Sequence, residues 1–94
     1  MPRYIIERNV AGASRLSAEQ LRQIAEKSNA VVEGLGEPYT WHESFVAGDK
    51  IYCVHEAESA EAICRHAREG GFPADKVTEI VAVIGPQTAM PPAG

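Results

Sequence analysis

Three histidines and two cysteines supply the metal-capable and nucleophilic side chains of this 94-residue chain, and His42, Cys53 and His55 fall within one short stretch. Tyr39 to Val46, then Ala47-Gly48-Asp49-Lys50, then Ile51 to Glu56 reads as two β-strands joined by a tight turn, and it also carries the only tryptophan, Trp41. With Gly48-Asp49 at the tip, or with a four-residue loop from Ala47 to Lys50, Val46 faces Ile51, Ser44 faces Cys53 and His42 faces His55. His42, Ser44, Cys53 and His55 then project from one face of the hairpin. Trp41, Glu43, Phe45, Tyr52, Val54 and Glu56 project from the other. A three-residue loop would shift this register by one and separate the histidines. Side chains directly opposed across two strands have Cβ atoms about 4.5 to 5.5 Å apart, close enough for two imidazoles to share an ion.

The first candidate is therefore a transition-metal site built on His42 and His55, with Cys53 beside them and His66 as a further donor. Imidazole and thiolate together suit nickel, zinc or copper. No CxxC or HxxxH spacing selects among them. The plainer alternative is a pair of histidines at a strand edge, bonded to solvent or to glutamates. His66, three residues after Ile63 on a helix, reads as a boundary histidine near the helix end, where a cationic ring suits the dipole. Cys64 reads as a small buried hydrophobe.

The opposite hairpin face supplies a second candidate. Tyr4 or Ile5 and Glu7 from the first strand, with Trp41, Glu43, Tyr52 and Glu56, make aromatic walls with a few carboxylates, the make-up of a small-ligand pocket. A carboxylate buried there would have its pKa raised by desolvation and would be placed to act as a base. Alternatively, Trp41 and Tyr52 pack in the core or a dimer seam while the glutamates reach solvent. No Ser-His-Asp order, P-loop or GxGxxG is present.

The elements that must position these residues follow from patterning. Tyr4 to Arg8 is β-branched and aromatic enough for a strand, and Ala11-Gly12-Ala13 breaks it. Ser17 with Gln20 forms a capping-box signature, after which Leu21, Ile24, Ala25, Ser28, Val31, Val32 and Leu35 recur at helical spacing. The first helix is predicted from about Ala18 to Leu35. A second starts near Ser59, carries Ala60, Ile63 and Ala67 inward, and stops at Gly70-Gly71 with Phe72 over its last turn. Lys76 to Ile84 is a final strand.

The order β-α-β-β-α-β predicts an α+β, ferredoxin-like sandwich in which two helices cover one face of a four-stranded antiparallel sheet. The strands carry apolar side chains on both faces, whereas a sheet with one wet face should alternate cleanly. A second copy in an isologous homodimer is the expected cover.

Residues 1–84 read as one domain, and 85–94, with their Pro and Gly content, as a tail. A net charge of −4 with scattered Lys and Arg argues against a nucleic-acid partner. No apolar run approaches the length of a membrane span and no secretion signal precedes the first strand, so the expectation is a cytoplasmic protein with reduced thiols and no membrane partner.

Trp41 to Val46, Lys50 to Val54, and His66-Ala67-Arg68-Glu69-Gly70-Gly71-Phe72-Pro73-Ala74 resemble a small bacterial family, domain of unknown function 4242. Met1 to Arg8 and Gly12 to Leu21 fit it too. The resemblance implies a ferredoxin-like sandwich that dimerises, and a nickel-binding branch with one histidine just after the first strand and another in the first helix. Here Asn9 stands at the first of these places, and the first helix has no histidine. Related sequences read Trp-x-His-Ser where this chain has Trp41-His42-Glu43-Ser44, while His66 matches. Three functions are thus in view: a metal-binding dimer, a small-molecule binding protein or cofactor-independent enzyme, and an interaction module without a site.

Overall fold

A computed structural model of the chain describes residues 1–91. The main elements are β1 (Arg3–Asn9), α1 (Ala18–Gly34), β2 (Tyr39–Ala47), β3 (Lys50–Ala57), α2 (Ala60–Gly70) and β4 (Lys76–Ile80). Short 3-10 turns occupy Ala13–Arg15 and Pro86–Ala89, the latter inside the expected tail, whose last three residues lie outside the described ones. The strands form one antiparallel sheet in the order β2-β3-β1-β4, with the helices on one face as predicted. No helix among the described residues is long and apolar enough to cross a membrane.

Local chemistry accounts for the boundaries. Ser17 accepts from the Gln20 N–H, and the Gln20 side chain accepts from the Ser17 N–H, which satisfies two otherwise free donors at the start of α1. Ser59 caps α2 in the same manner through the Ala62 N–H. At its other end Gly71, at φ 69°, takes the left-handed conformation that a Cβ would penalise, and Phe72 N–H returns to the Ala67 carbonyl. The β2–β3 turn is the two-residue form, with Ala47 paired to Lys50 and Gly48 at φ 60°.

Two expectations are corrected. The last strand ends at Ile80, not Ile84: its ladder with β1 stops at Arg3↔Ile80, and the next β1 residue, Pro2, has no N–H to offer. Val81, Val83 and Ile84 are consequently exposed.

The second correction concerns the hairpin. Val46↔Ile51 and Ser44↔Cys53 pair as predicted, but a bulge between Trp41 and Glu43 then sets Trp41, not His42, opposite His55. The extra residue exchanges the faces of Trp41 and His42. Strict alternation therefore fails at one position, and that position is the histidine.

The inner face carries the core: Tyr4 and Ile6 from β1, Ile51, Cys53 and Ala57 from β3, and Ala62 and Ile63 from α2. Burial alternates residue by residue along β1 and β3. Arg8 and His55 fall on this same buried face, at 5% and 1% exposure. The outer face is mixed: Ile5, Tyr52 and Val54 are half-buried and Phe45 is exposed.

Candidate functional site

A cavity of about 390 Å³ lies between α1 and the inner face of the sheet. Leu21, Ile24 and Ala25 of α1 form one wall, Val46 and Ile51 of the hairpin another, and Phe72 and Pro73 close it beyond α2. The helical stripe read from the sequence thus points inward, yet Leu21, Ile24 and Ala25 stay only half-buried because the space beneath them is open. Polar side chains converge on this apolar shell: Arg8, Ser28, Trp41, Ser44, His55 and His66. An apolar pocket with a few placed polar groups is the usual make-up of a small-molecule site.

The two histidines form the floor of a stacked aromatic cluster. His55 and His66 meet edge-on with ring centroids 5.0 Å apart, Tyr39 stacks on His66 at 5.2 Å, and Phe72 stacks on it at 5.6 Å. Tyr39 lies 2.5 Å from His55 Nδ1. Burial pushes the Tyr39 phenol well above its ordinary pKa, so it stays protonated; we assign it as the donor, which leaves the His55 ring proton on Nε2. His66 Nε2 pairs with Ser28 Oγ at 3.1 Å, while its Nδ1 is buried without a partner.

Both imidazoles are neutral at physiological pH. Desolvation, then repulsion from His66 and Arg8, pulls His55 down to about 3; desolvation, then the Arg8 charge, pulls His66 down to about 4. This overturns the picture of His66 as a boundary residue charged at the helix end: it is 1% exposed and sits between α1, α2 and the sheet. His55 likewise lies on an interior strand rather than at an edge. Cys64, expected to be buried, is half-exposed.

Arg8 reaches into the same region. Its Nε donates to Cys53 Sγ at 3.3 Å, Nη1 donates to the Pro73 carbonyl, and the guanidinium lies 5.5 Å from the centre of the Phe72 ring. Ser44 Oγ accepts from Trp41 Nε1 at 2.9 Å, which fixes the indole against the cavity.

Of the four expected metal donors, Cys53, His55 and His66 therefore share the inner side, and His42 does not join them. The bulge sends His42 to the outer face, where Nε2 meets Glu56 Oε1 at 2.9 Å and holds that carboxyl below its ordinary pKa. The second expected set also divides. Tyr4 and Trp41 face inward, while Glu7, beside Lys50, lies outward with Glu43 and Tyr52. Arg8, Tyr39, Ser28 and Phe72 were not among the expected site residues. Alternation of Tyr4, Ile6 and Arg8 along β1, and the place of Ser28 in the α1 stripe, were the signals for two of them.

Comparison with known proteins adds a relationship to this geometry. The family model described as nickel responsive protein SCO4226-like matches residues 4–80. The chain belongs to this family. The fold also matches the crystal structure of SCO4226 from Streptomyces coelicolor A3(2), at 25% identity and a TM-score of 0.73, covering 87% of this chain and 99% of that one. No curated protein matches. The family established is thus one described by nickel response, in line with the nickel branch the resemblance implied, though not under the name domain of unknown function 4242.

The inner residues do not fit a closed nickel site. Among the described residues no group of three or more His, Cys, Asp or Glu is placed to hold a metal ion. The Cys53 sulfur already accepts from Arg8, and a divalent cation there would face a guanidinium with no carboxylate between them.

One substitution tests the architecture directly. Gly70 lies under the Phe72 ring, and a Cβ added there would meet Phe72 Cδ2 at 2.5 Å. Alanine gains helix propensity but must expel the ring from its stack on His66, so the clash prevails. Gly70→Ala is expected to lower stability by about 1 to 3 kcal/mol in urea denaturation, and unchanged stability would refute the placement of Phe72.

Proposed function

We infer that the protein is a small-molecule binding member of its family, and that the ligand lies between α1 and the sheet. The cavity itself supports this most: about 390 Å³ of largely apolar, half-open space beneath a helix whose apolar stripe stays only half-buried. Five neutral polar side chains around it, Ser28, Trp41, Ser44, His55 and His66, are held by partners or packing and suit orientation of a ligand. Ser28 Oγ lies 3.1 Å from His66 Nε2, but the other nitrogen of that ring has no partner to orient it as a base, so binding is the activity this geometry supports.

Trp41 makes the test simple, because the sole tryptophan lines the cavity. The neutral probe N-phenylnaphthylamine should quench Trp41 by energy transfer and saturate. Ala25→Phe, which places a ring in the cavity, should weaken that binding by about a hundredfold or more. Equal binding by the variant would sink the proposal.

The family description makes a nickel ion the second reading, supported by two neutral imidazoles and the unpartnered Nδ1 of His66. It needs further ligands from water or a partner. Saturable nickel binding in calorimetry that is lost in His66→Gln would establish it; no such binding would leave the cavity reading alone. A homodimer through the outer sheet face belongs to the same account, supported by half-buried Ile5, Tyr52 and Val54 and exposed Phe45. Sedimentation should give twice the chain mass, falling to the monomer in Phe45→Glu.

A further inference from the structure

We propose that the occupant of this cavity is a small organic monoanion, a carboxylate on a compact apolar body, and that Arg8 is the residue that binds its charge. The inference rests on the cavity being a ligand site and names the class of ligand.

The reason is an uncompensated charge. Arg8 is 95% buried by its 5% exposure, and a guanidinium in such a place is normally paired with a carboxylate. The Arg and Lys ion pairs among the described residues join Arg3 to Glu56, Arg22 to Glu19 and Glu26, Lys50 to Glu7, and Arg65 to Glu37 and Glu69; none includes Arg8. No Asp or Glu lines the cavity either. With His55 and His66 neutral, Arg8 is the single fixed charge on its wall.

Its present partners are a sulfur, a carbonyl and an aromatic face. These pin the segment after α2 to β1 but neutralise nothing. Of the five N–H donors on a guanidinium, two have protein partners, which leaves three available where Arg8 borders the half-open, largely apolar cavity. Ser44, whose oxygen accepts from Trp41, keeps its own proton to donate. A carboxylate matches the planar fork of the guanidinium, and a single charge balances a single charge. A phosphate dianion would leave excess charge buried. The walls contributed by Leu21, Ile24 and Phe72 suit an aliphatic or aromatic body.

Naphthylacetic acid, ionised at pH 7, and naphthylacetamide differ in charge at nearly constant shape. Each is titrated against bound N-phenylnaphthylamine on the full chain. Wild type should prefer the acid by about tenfold or more, and Arg8→Gln, which retains donors but not charge, should bind acid and amide alike. The wild-type comparison needs no variant, so misfolding of Arg8→Gln does not spoil it. If the neutral probe binds and the acid has no advantage over the amide, the anion proposal fails while the cavity reading stands. If the probe, the acid and the amide all fail to bind, both fall together.

Discussion

Taking the protein from pH 7 to pH 4 will remove several kcal/mol of folding stability, on the order of 3 kcal/mol for each of His55 and His66 titrating alone. In the unfolded chain both imidazoles titrate near pH 6.5, whereas in the fold they titrate near 3 and 4. Between those values the unfolded state binds more protons, so stability is complete above about pH 6.5 and is lost as the pH falls through this window. The cause is structural: each ring is 1% exposed and is pushed down by burial and by the Arg8 charge, neither is hydrogen-bonded to a carboxylate, and the Glu69 charge near His66 opposes this only in part. Urea denaturation at stepped pH measures the slope. His66→Gln should flatten it by roughly half, since glutamine has nothing to titrate. A wild-type curve no steeper than that of the variant between pH 6.5 and 4 would show that the imidazoles are solvated or paired.

The second large effect separates the core from the cavity wall. Ile6 is 0% exposed, between Cys53 and Val77 on the neighbouring strands, and does not line the cavity. Ile6→Ala is expected to cost about 2 to 5 kcal/mol, a large share of the roughly 5 to 15 kcal/mol that holds a domain together. Leu21→Ala removes a side chain of similar size yet should cost only about 1 kcal/mol, because Leu21 already faces the cavity and packs on one side. The ratio is the informative quantity. Equal losses at the two positions would mean that the space under α1 closes in solution and that the wall is ordinary core.

Much of the architecture was legible because its signals are local. Ser17 with Gln20, Ser59, and Gly70-Gly71 before Phe72 each mark a helix end through hydrogen bonds or backbone angles that need no tertiary context. The α1 stripe reported its buried face for the same reason, and β3 alternates without a break from Ile51 to Ala57, which placed Cys53 and His55 together.

What was not legible turns on single residues whose environment is set from afar. The bulge beside Trp41 leaves no mark in a period-two pattern, yet it sends His42 outward to Glu56 and brings Trp41 against His55. The two candidate sites drawn from alternation each lost one member to that insertion, His42 from the first and Trp41 from the second. Arg8 was passed over because an arginine near a strand end is ordinarily solvated, although its phase with Tyr4 and Ile6 marked the inner face. His66 differed in kind: its spacing from Ile63 was visible, but the enclosure by Tyr39 and Phe72 that removes its charge depends on elements distant in the chain.

The consequence for function is a change of chemistry. Donors expected to converge on a metal divide between two faces, and the inner face collects neutral rings, hydroxyls and one buried cation around open space. That arrangement holds an organic molecule more readily than an ion.

Amide and methyl NMR of the full chain, titrated with N-phenylnaphthylamine, tests this most directly. Shifts should concentrate at Leu21, Ile24, Ala25 and Val46, with the Trp41 indole N–H among the largest. Shifts confined to the outer face, at Phe45, Tyr52 and Val54, would contradict a ligand site between α1 and the sheet.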